Sequence, residues 1–542
     1  MNIQLSDINI RYRIDGIEKR GKGPETEDYF LSLDQAGERT TITFHAKKPL
    51  TLVTSSFEVP YNYYQEDLIF VNGYQSWTDT KEYMLSEYIH DVKKVPAFLR
   101  NIFHFENYGD AWFMDYQKDN FHSFTYSYRK KKDGSCDLIG SLNEENAFLI
   151  IHYKKLEEIM SIRSDCGLKK VDGTFCLYDF VVYQGTCREV LQKYFANYGT
   201  CSAPKLRGYT SWYLHYQNIN EEKIQTALDG IDSDHFELFQ IDDGYETFVG
   251  DWMDIDPHKF PAGLKKIVEK IHAKGLKAGI WLAPFVCETK SRIFQDHPDW
   301  LYKENGKELF AGSNWSGFVV LDIRLPEVQE YIRRCLIYFM DLGFNFFKLD
   351  FLYAAALIHD GTYTRAEIMR AGMKGLREIL KDKLILGCGV PLSSAFNLVD
   401  YCRIGPDVSL VFDDVFYMRK MHRERISTKV TIQNTIFRAH MDGSVFRCDP
   451  DVFLLRDDNI KLSKEQRKAL CILNHLCGSL YLTSDNVGAY DAEKYEILKE
   501  AQKLTDAEIT DISRKGNLIT ITYILDENEK KLTYNKEKGV LV

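Results

Sequence analysis

The stretch "FNFFKLDFLY", residues 344–353, decides how this chain is read. Phe344, Phe346, Phe347, Leu349, Phe351 and Leu352 give it the near-continuous apolar character of a strand buried on both faces. Lys348 and Asp350 interrupt it two residues apart, so on a strand both side chains project to the same face. Taken alone, a K-x-D pair reads equally well as a structural ion pair, yet burying one yields little net stability. The surrounding pattern has to decide.

Working outward, strands alternate with helices from about residue 205. Strand patterns stand at "RGYTSWY", "LFQIDDGY", "LKAGIWLAPF", "FNFFKLDF", "LILGCGVP", "YCRIGPDV", "SVFRCDPD" and "GSLYLTSD". Amphipathic helical patterns such as "GLKKIVEKIHAKG", "PEVQEYIRRCLIYFMDLG" and "RAEIMRAGMKGLREIL" fill most gaps, and "DAEKYEILKEAQKL" follows the eighth strand. Eight such units over roughly 300 residues predict a (β/α)8 TIM barrel. A doubly wound sheet competes, but no GxGxxG follows the first strand. Before the barrel, alternating and β-branched runs with Gly, Asn and Asp turns predict a large antiparallel β-sandwich, closed by one helix at "TCREVLQKYFANYG". The tail "GNLITITYILDENEKKLTYNKEKGVLV" returns to β. The division expected is 1–195 (sandwich), 196–508 (catalytic barrel) and 509–542 (small antiparallel segment).

Composition narrows the function classes. The 542 residues are 44% hydrophobic and 27% charged, with a net charge of −10. That is a soluble multidomain composition, and the charge argues against a general nucleic-acid binder. The start "MNIQLSDINIRYRIDG" lacks an apolar signal region, and no run is long enough for a membrane span. The twelve cysteines are scattered without CxxC or zinc spacing, which predicts reduced thiols and a cytoplasmic setting, and leaves the sequon at Asn314 without meaning.

In a TIM barrel, chemistry sits at the carboxyl ends of the strands. Here those ends carry Asp242 and Asp243 with Gly244, Trp281, Lys348 and Asp350, Cys388 between two glycines, Arg403 and Asp407 around a Gly-Pro turn, and Asp449. Two carboxylates across a barrel mouth are the minimal apparatus for cleaving a glycosidic bond. Lys348 is expected to lower the pKa of Asp350 and keep it anionic as a nucleophile. Asp407 then needs its pKa raised, by burial or by Asp350, to serve as the acid. Asp242 and Asp243 suit vicinal hydroxyls, and Trp281 offers an indole face to a pyranose, though a strand tryptophan is more often core than ligand-binding. Asp449 reads as bracing the rim. No HExxH or EF-hand pattern occurs, and His215 has no partner. Aspartates holding Mg²⁺ would leave a metal-dependent barrel hydrolase as an alternative.

The motifs "FFKLDFL", "CRIGPD", "FQIDDGYE…GDW", "AGIWLAPF" and "CDPDVFLLR" resemble glycoside hydrolase family 36, the bacterial α-galactosidases or melibiases. The resemblance implies retaining double displacement on terminal α-linked galactose of oligosaccharides such as melibiose or raffinose, without metal or cofactor. It implies Asp350 as nucleophile and Asp407 as acid/base. Asp242 and Asp243 would hold the O4 and O6 side, and Lys348 the 3- and 4-hydroxyls. Trp281 would form the floor, with Cys388 and Arg403 near the 2-hydroxyl. Trp77, in "NGYQSW", would extend from the first domain over the sugar. The shorter loop "CGVPLSS" replaces "CWSGGGR" of many relatives, and "DDGY" replaces their commoner "DDGW". Galactose against N-acetylgalactosamine, hydrolysis against transglycosylation, and homo-oligomerisation stay open. A catalytically silent sugar-binding barrel is the other class of reading. Binding alone, however, needs neither carboxylate.

Overall fold

The computed structural model describes residues 3–419 and 422–542, apart from the side chain of Tyr417, so the first two residues of the amino-terminal stretch lie outside it. Each of the eight quoted strand patterns carries one strand of a parallel sheet. They are β1 (Leu206–Thr210), β2 (Leu238–Ile241), β3 (Lys277–Leu282), β4 (Phe346–Leu349), β5 (Leu384–Gly387), β6 (Tyr401–Arg403), β7 (Arg447–Asp449) and β8 (Leu480–Thr483). Neighbours pair in chain order from β1 to β7, and β8 returns to pair with β1. The two ends of the sheet are one run of chain. Arg447–Asp449 pairs with β6, and Val452–Phe453, just beyond Pro450, pairs with β8. Pro450 has no N–H to give the ladder, and Asp451 adopts φ 72°, so the run bends between its two partners.

β2, β4 and β8 are buried at every position, as strands covered on both faces must be. The covering helices are those the apolar spacing marks: Glu221–Gly230, Lys265–Ala273, Pro326–Leu342, Arg365–Leu380, Lys464–Cys477 and Ala492–Gln502. The helix Thr428–Arg438 was not anticipated. All its side chains but Lys429 are buried, so it shows no amphipathic stripe.

The amino-terminal residues form two seven-stranded antiparallel sheets. Strand Arg39–Ala46 buries Thr40, Ile42 and Phe44 in alternation, facing a core with Leu52, Phe57, Ile162 and Phe180. Residues on the other side, Phe70, Tyr126 and Tyr128, belong instead to the core of the parallel sheet. Tyr126 lies 5.4 Å ring to ring from Phe195 and 5.7 Å from His440. Four antiparallel strands, Glu508–Lys515 through Val540–Leu541, end the chain.

The expectation of twelve free thiols is corrected at one pair. Cys136 and Cys187 form a disulfide, with Cα atoms 5.1 Å apart, and the other ten are free. Strand Ser135–Ser141 and the first turn of helix Cys187–Phe195 bring them together across 51 residues, a juxtaposition that no CxxC-type spacing announces. Among the described residues no helix is long and apolar enough to cross a membrane.

Candidate active site

A cavity of about 560 Å³ opens at the carboxyl ends of the parallel strands. Seven of the nine sequence-predicted residues line it: Asp242, Asp243, Trp281, Lys348, Asp350, Asp407 and Trp77. The remaining two, Cys388 and Arg403, are each only 1% exposed and stand behind the wall.

Asp350 follows the last residue of β4. Its neighbour Phe351 turns into the left-handed region at φ 51°, which brings the Phe351 N–H back onto Asp350 Oδ1 at 2.8 Å. The indole Nε1 of Trp281 donates to Oδ2 at 3.0 Å, fixing the carboxylate from the next strand. Lys348 behaves differently from the sequence expectation. Its Nζ lies 3.0 Å from Asp242 Oδ2 and 3.9 Å from Asp350, so the ammonium chiefly serves Asp242. Burial raises the pKa of Asp350, while Lys348, Trp281 and Cys388 oppose and the charge of Asp407 adds to the rise. The expectation that Lys348 would leave it lowered is therefore corrected: desolvation outweighs the shared cation.

Asp242 is the most heavily bonded acid in the site. Oδ2 accepts from Thr210 at 3.1 Å, Gln240 at 2.6 Å and Lys348 at 3.0 Å, and Oδ1 accepts from the Asp243 N–H at 3.0 Å. Asp243 Oδ2 accepts from Trp315 Nε1 at 2.9 Å and Gln217 at 3.1 Å. The carboxyl of its buried neighbour Glu246 is pushed well above the usual carboxylate range by burial and by the charge and hydrogen bonding of Asp243. Gly244, at φ 115°, makes the turn: a Cβ there would lie 2.7 Å from the Gln217 carbonyl oxygen.

Arg403, the last residue of β6, reaches three carboxylates. Nη1 donates to Asp407 at 2.9 Å and Nε to Asp449 at 2.9 Å, while Nη2 pairs with Asp451 at 2.9 Å. Asp449 is thus a buried ion partner rather than a cavity residue. The side chain of Asp407 is 31% exposed, against 9% for Asp350.

Trp77 reaches the cavity on a loop from the amino-terminal sheets. Its ring lies 5.3 Å from Phe351, and Gly389 admits it, since a Cβ there would stand 2.8 Å from the indole. The loop is strapped down by Arg438, which donates to the Ser76 and Ile404 carbonyls at 2.7 and 2.8 Å, and by Asn434 bonding both Thr78 and Thr80.

Sequence reading missed Trp315, Gln217, Glu246, Tyr213 and Asp451. Trp315 had a signal, an indole in the polar loop "GSNWSG", but the stretch was read only as a sequon. Among the described residues no group of three or more His, Cys, Asp or Glu has metal-holding geometry.

Carboxylates and indoles are thus gathered in one cavity at the carboxyl ends of the parallel sheet. The melibiase family model matches residues 189–381. An α-galactosidase of Lactobacillus acidophilus is 26% identical over 203 residues, 36% of this chain and 25% of that protein. One from Pediococcus pentosaceus is 35% identical over 129 residues, 22% and 17% respectively. These matched segments span a quarter or less of the curated relatives' length. Among solved structures, an α-galactosidase of Thermus thermophilus in complex with stachyose is similar at a TM-score of 0.71 and 25% identity, over 91% of this chain and 99% of that one. A family 36 α-galactosidase of Geobacillus stearothermophilus shares the fold at a TM-score of 0.62 and 13% identity, over 93% and 72%. Over residues 189–381 the chain is similar to the melibiases, and its fold is that of family 36 α-galactosidases of known structure.

Proposed function

We propose that the protein is an exo-acting α-galactosidase that hydrolyses terminal α-linked galactose from oligosaccharides with retention. Its parallel sheet is read as a closed (β/α)8 barrel spanning 196–508, between a sandwich at 1–195 and a terminal β segment at 509–542. The observation that carries the reading is that Asp350 and Asp407 line one cavity together with Asp242, Asp243 and Lys348.

In this reading Asp350, held by Trp281 and the Phe351 N–H, attacks the anomeric carbon as a carboxylate. Asp407, the more exposed of the pair, protonates the leaving oxygen, then takes a proton from the water that releases the sugar. Burial raises the ionisation of Asp350 above the ordinary aspartate value, while Lys348 and the Trp281 indole favour the anion that a nucleophile must be. The buried Trp77 Nε1 on the cavity lining has no partner among the described residues, and buried polar groups ordinarily have one. A sugar hydroxyl would supply it. Lys348 and Asp242 would meet the same ring, while Cys388 and Arg403 act from behind the wall rather than by touching the 2-hydroxyl.

The test is hydrolysis of p-nitrophenyl α-galactoside beside the α-N-acetylgalactosaminide and α-glucoside, with and without EDTA. The expected result is a marked preference for the galactoside, unaffected by EDTA. Loss of activity with EDTA would point to a metal-dependent hydrolase, and no turnover of any of the three would point to a binding protein.

A further inference from the structure

Arg403 is one buried cation facing three acids. Fully ionised, Arg403 with Asp407, Asp449 and Asp451 would carry two net negative charges in a site where Arg403, Asp449 and Asp451 are almost wholly excluded from water. Burying unbalanced charge is costly, so the cluster retains a proton. Where it resides depends on the other donors. Asp451 accepts from the Tyr213 hydroxyl and from the Val408 N–H at 2.7 Å, and Asp449 accepts from the Asp451 N–H at 2.9 Å. Among the described residues the Asp407 carboxyl receives only the Arg403 bond.

We propose that Tyr213 and Asp451 are positioning residues for the acid–base step: the Tyr213 hydroxyl holds Asp451 as an anion on Arg403, so that this guanidinium is shared and binds Asp407 less tightly than it would bind a sole partner. The inference rests on the glycosidase reading. Burial, Asp407 and Asp449 push Asp451 up to about 7, while Arg403 and the Tyr213 hydroxyl pull it down, so these two partners are what favours the Asp451 anion. The step balances. The C–O bond to the leaving group breaks as the Asp350 oxygen bonds to carbon and the Asp407 proton passes to the leaving oxygen; water then bonds to the same carbon as the bond to Asp350 breaks, and gives its proton to Asp407. Tyr213 keeps its own proton throughout. Other groups acting on this cluster are Asp350 and, through its repulsion of Arg403, Lys348 at the end of β4, Cys388 from β5, and Tyr213 and Tyr216 just after β1. The one cation among them, Lys348, is hydrogen-bonded to Asp242.

Asp451→Asn removes the competing charge, and Tyr213→Phe removes the donor that maintains it. In both variants Arg403 should serve Asp407 better and the acid form should be lost earlier. The alkaline limb of the pH profile of kcat/KM on a poor-leaving-group galactoside is expected to move down by roughly one unit for Asp451→Asn and less for Tyr213→Phe. At pH 8 the poor substrate should lose about tenfold, and the p-nitrophenyl substrate distinctly less. An unmoved limb with equal losses on both substrates would make the residues merely structural and overturn the proposal. Tyr213→Phe, which deletes one hydroxyl, decides the matter should Asp451→Asn not fold. A wild-type chain inactive on every α-galactoside sinks the underlying reading, whereas an active one with an unmoved limb sinks this inference alone.

Discussion

The two candidate catalytic acids sit in opposite surroundings. Asp350 is walled in and held by an indole and a backbone N–H, and its nearest cation is turned towards Asp242. Asp407 keeps 31% of its side chain exposed and shares a fully engaged guanidinium with two other acids. The difference follows the tasks proposed for them. A nucleophile gains from fixed position and from exclusion of water, whereas an acid that must give and regain a proton each turnover needs access to solvent and a poised neighbourhood. Charge alone does not separate them, since each has a cation nearby. What separates them is the number of carboxylates that cation must also serve.

Substitution can break this comparison at either end. The largest effect is expected for Asp350→Asn, which should lower kcat on every α-galactoside by on the order of 10⁴-fold or more while the protein stays folded in a thermal melt. Asp407→Ala should split by substrate, with about 10²- to 10⁴-fold lost on a poor leaving group and far less on p-nitrophenolate. Equal losses on the two would remove Asp407 from proton transfer.

Trp281→Phe sharpens the comparison through pH. Because burial raises Asp350 above the ordinary aspartate value of 3.8, the anion is lost on acidification at a pH above that value, and the acid limb of kcat/KM should lie there. Deleting the indole donor takes away a bond that favours the anion. The limb should move still higher, with about a tenfold to hundredfold loss at neutral pH. A limb that stays put would show that Trp281 does not hold the nucleophile.

The smallest catalytic effect belongs to the strap. Burial alone would raise Asp79, but Lys81, Arg425 and Arg423 hold it at about 2. A depressed acid stabilises the fold above its unfolded pKa and ceases to as pH falls through the folded one, so this contribution is lost between about pH 4 and 2. Asp79→Ala should lower stability by about 2 kcal/mol at pH 7 and leave both limbs of the activity profile where they were, which a paired melt and pH profile would check.

The sequence was most legible where the period was clean. Every strand pattern of the parallel sheet carries a strand, because strands buried on both faces show as apolar runs whatever surrounds them. The all-buried helix Thr428–Arg438 gave no stripe to find. Candidate site residues were legible where they closed strands, since that position alone selects the cavity. What escaped was contact made by the fold. Nothing in K-x-D says that Lys348 turns to Asp242, and nothing in "CDPD" says that the bend at Pro450 carries both Asp449 and Asp451 onto Arg403. Cys136 and Cys187 met for the same reason. Their pairing is a property of a strand and a helix, not of spacing.

The central claim, that Asp350 is the group that bonds to the anomeric carbon, is tested most directly by the product of azide rescue. Asp350→Ala, given an activated α-galactoside and azide, leaves azide to attack from the face the carboxylate vacated. NMR of the product should show β-galactosyl azide; α-galactosyl azide would contradict the assignment.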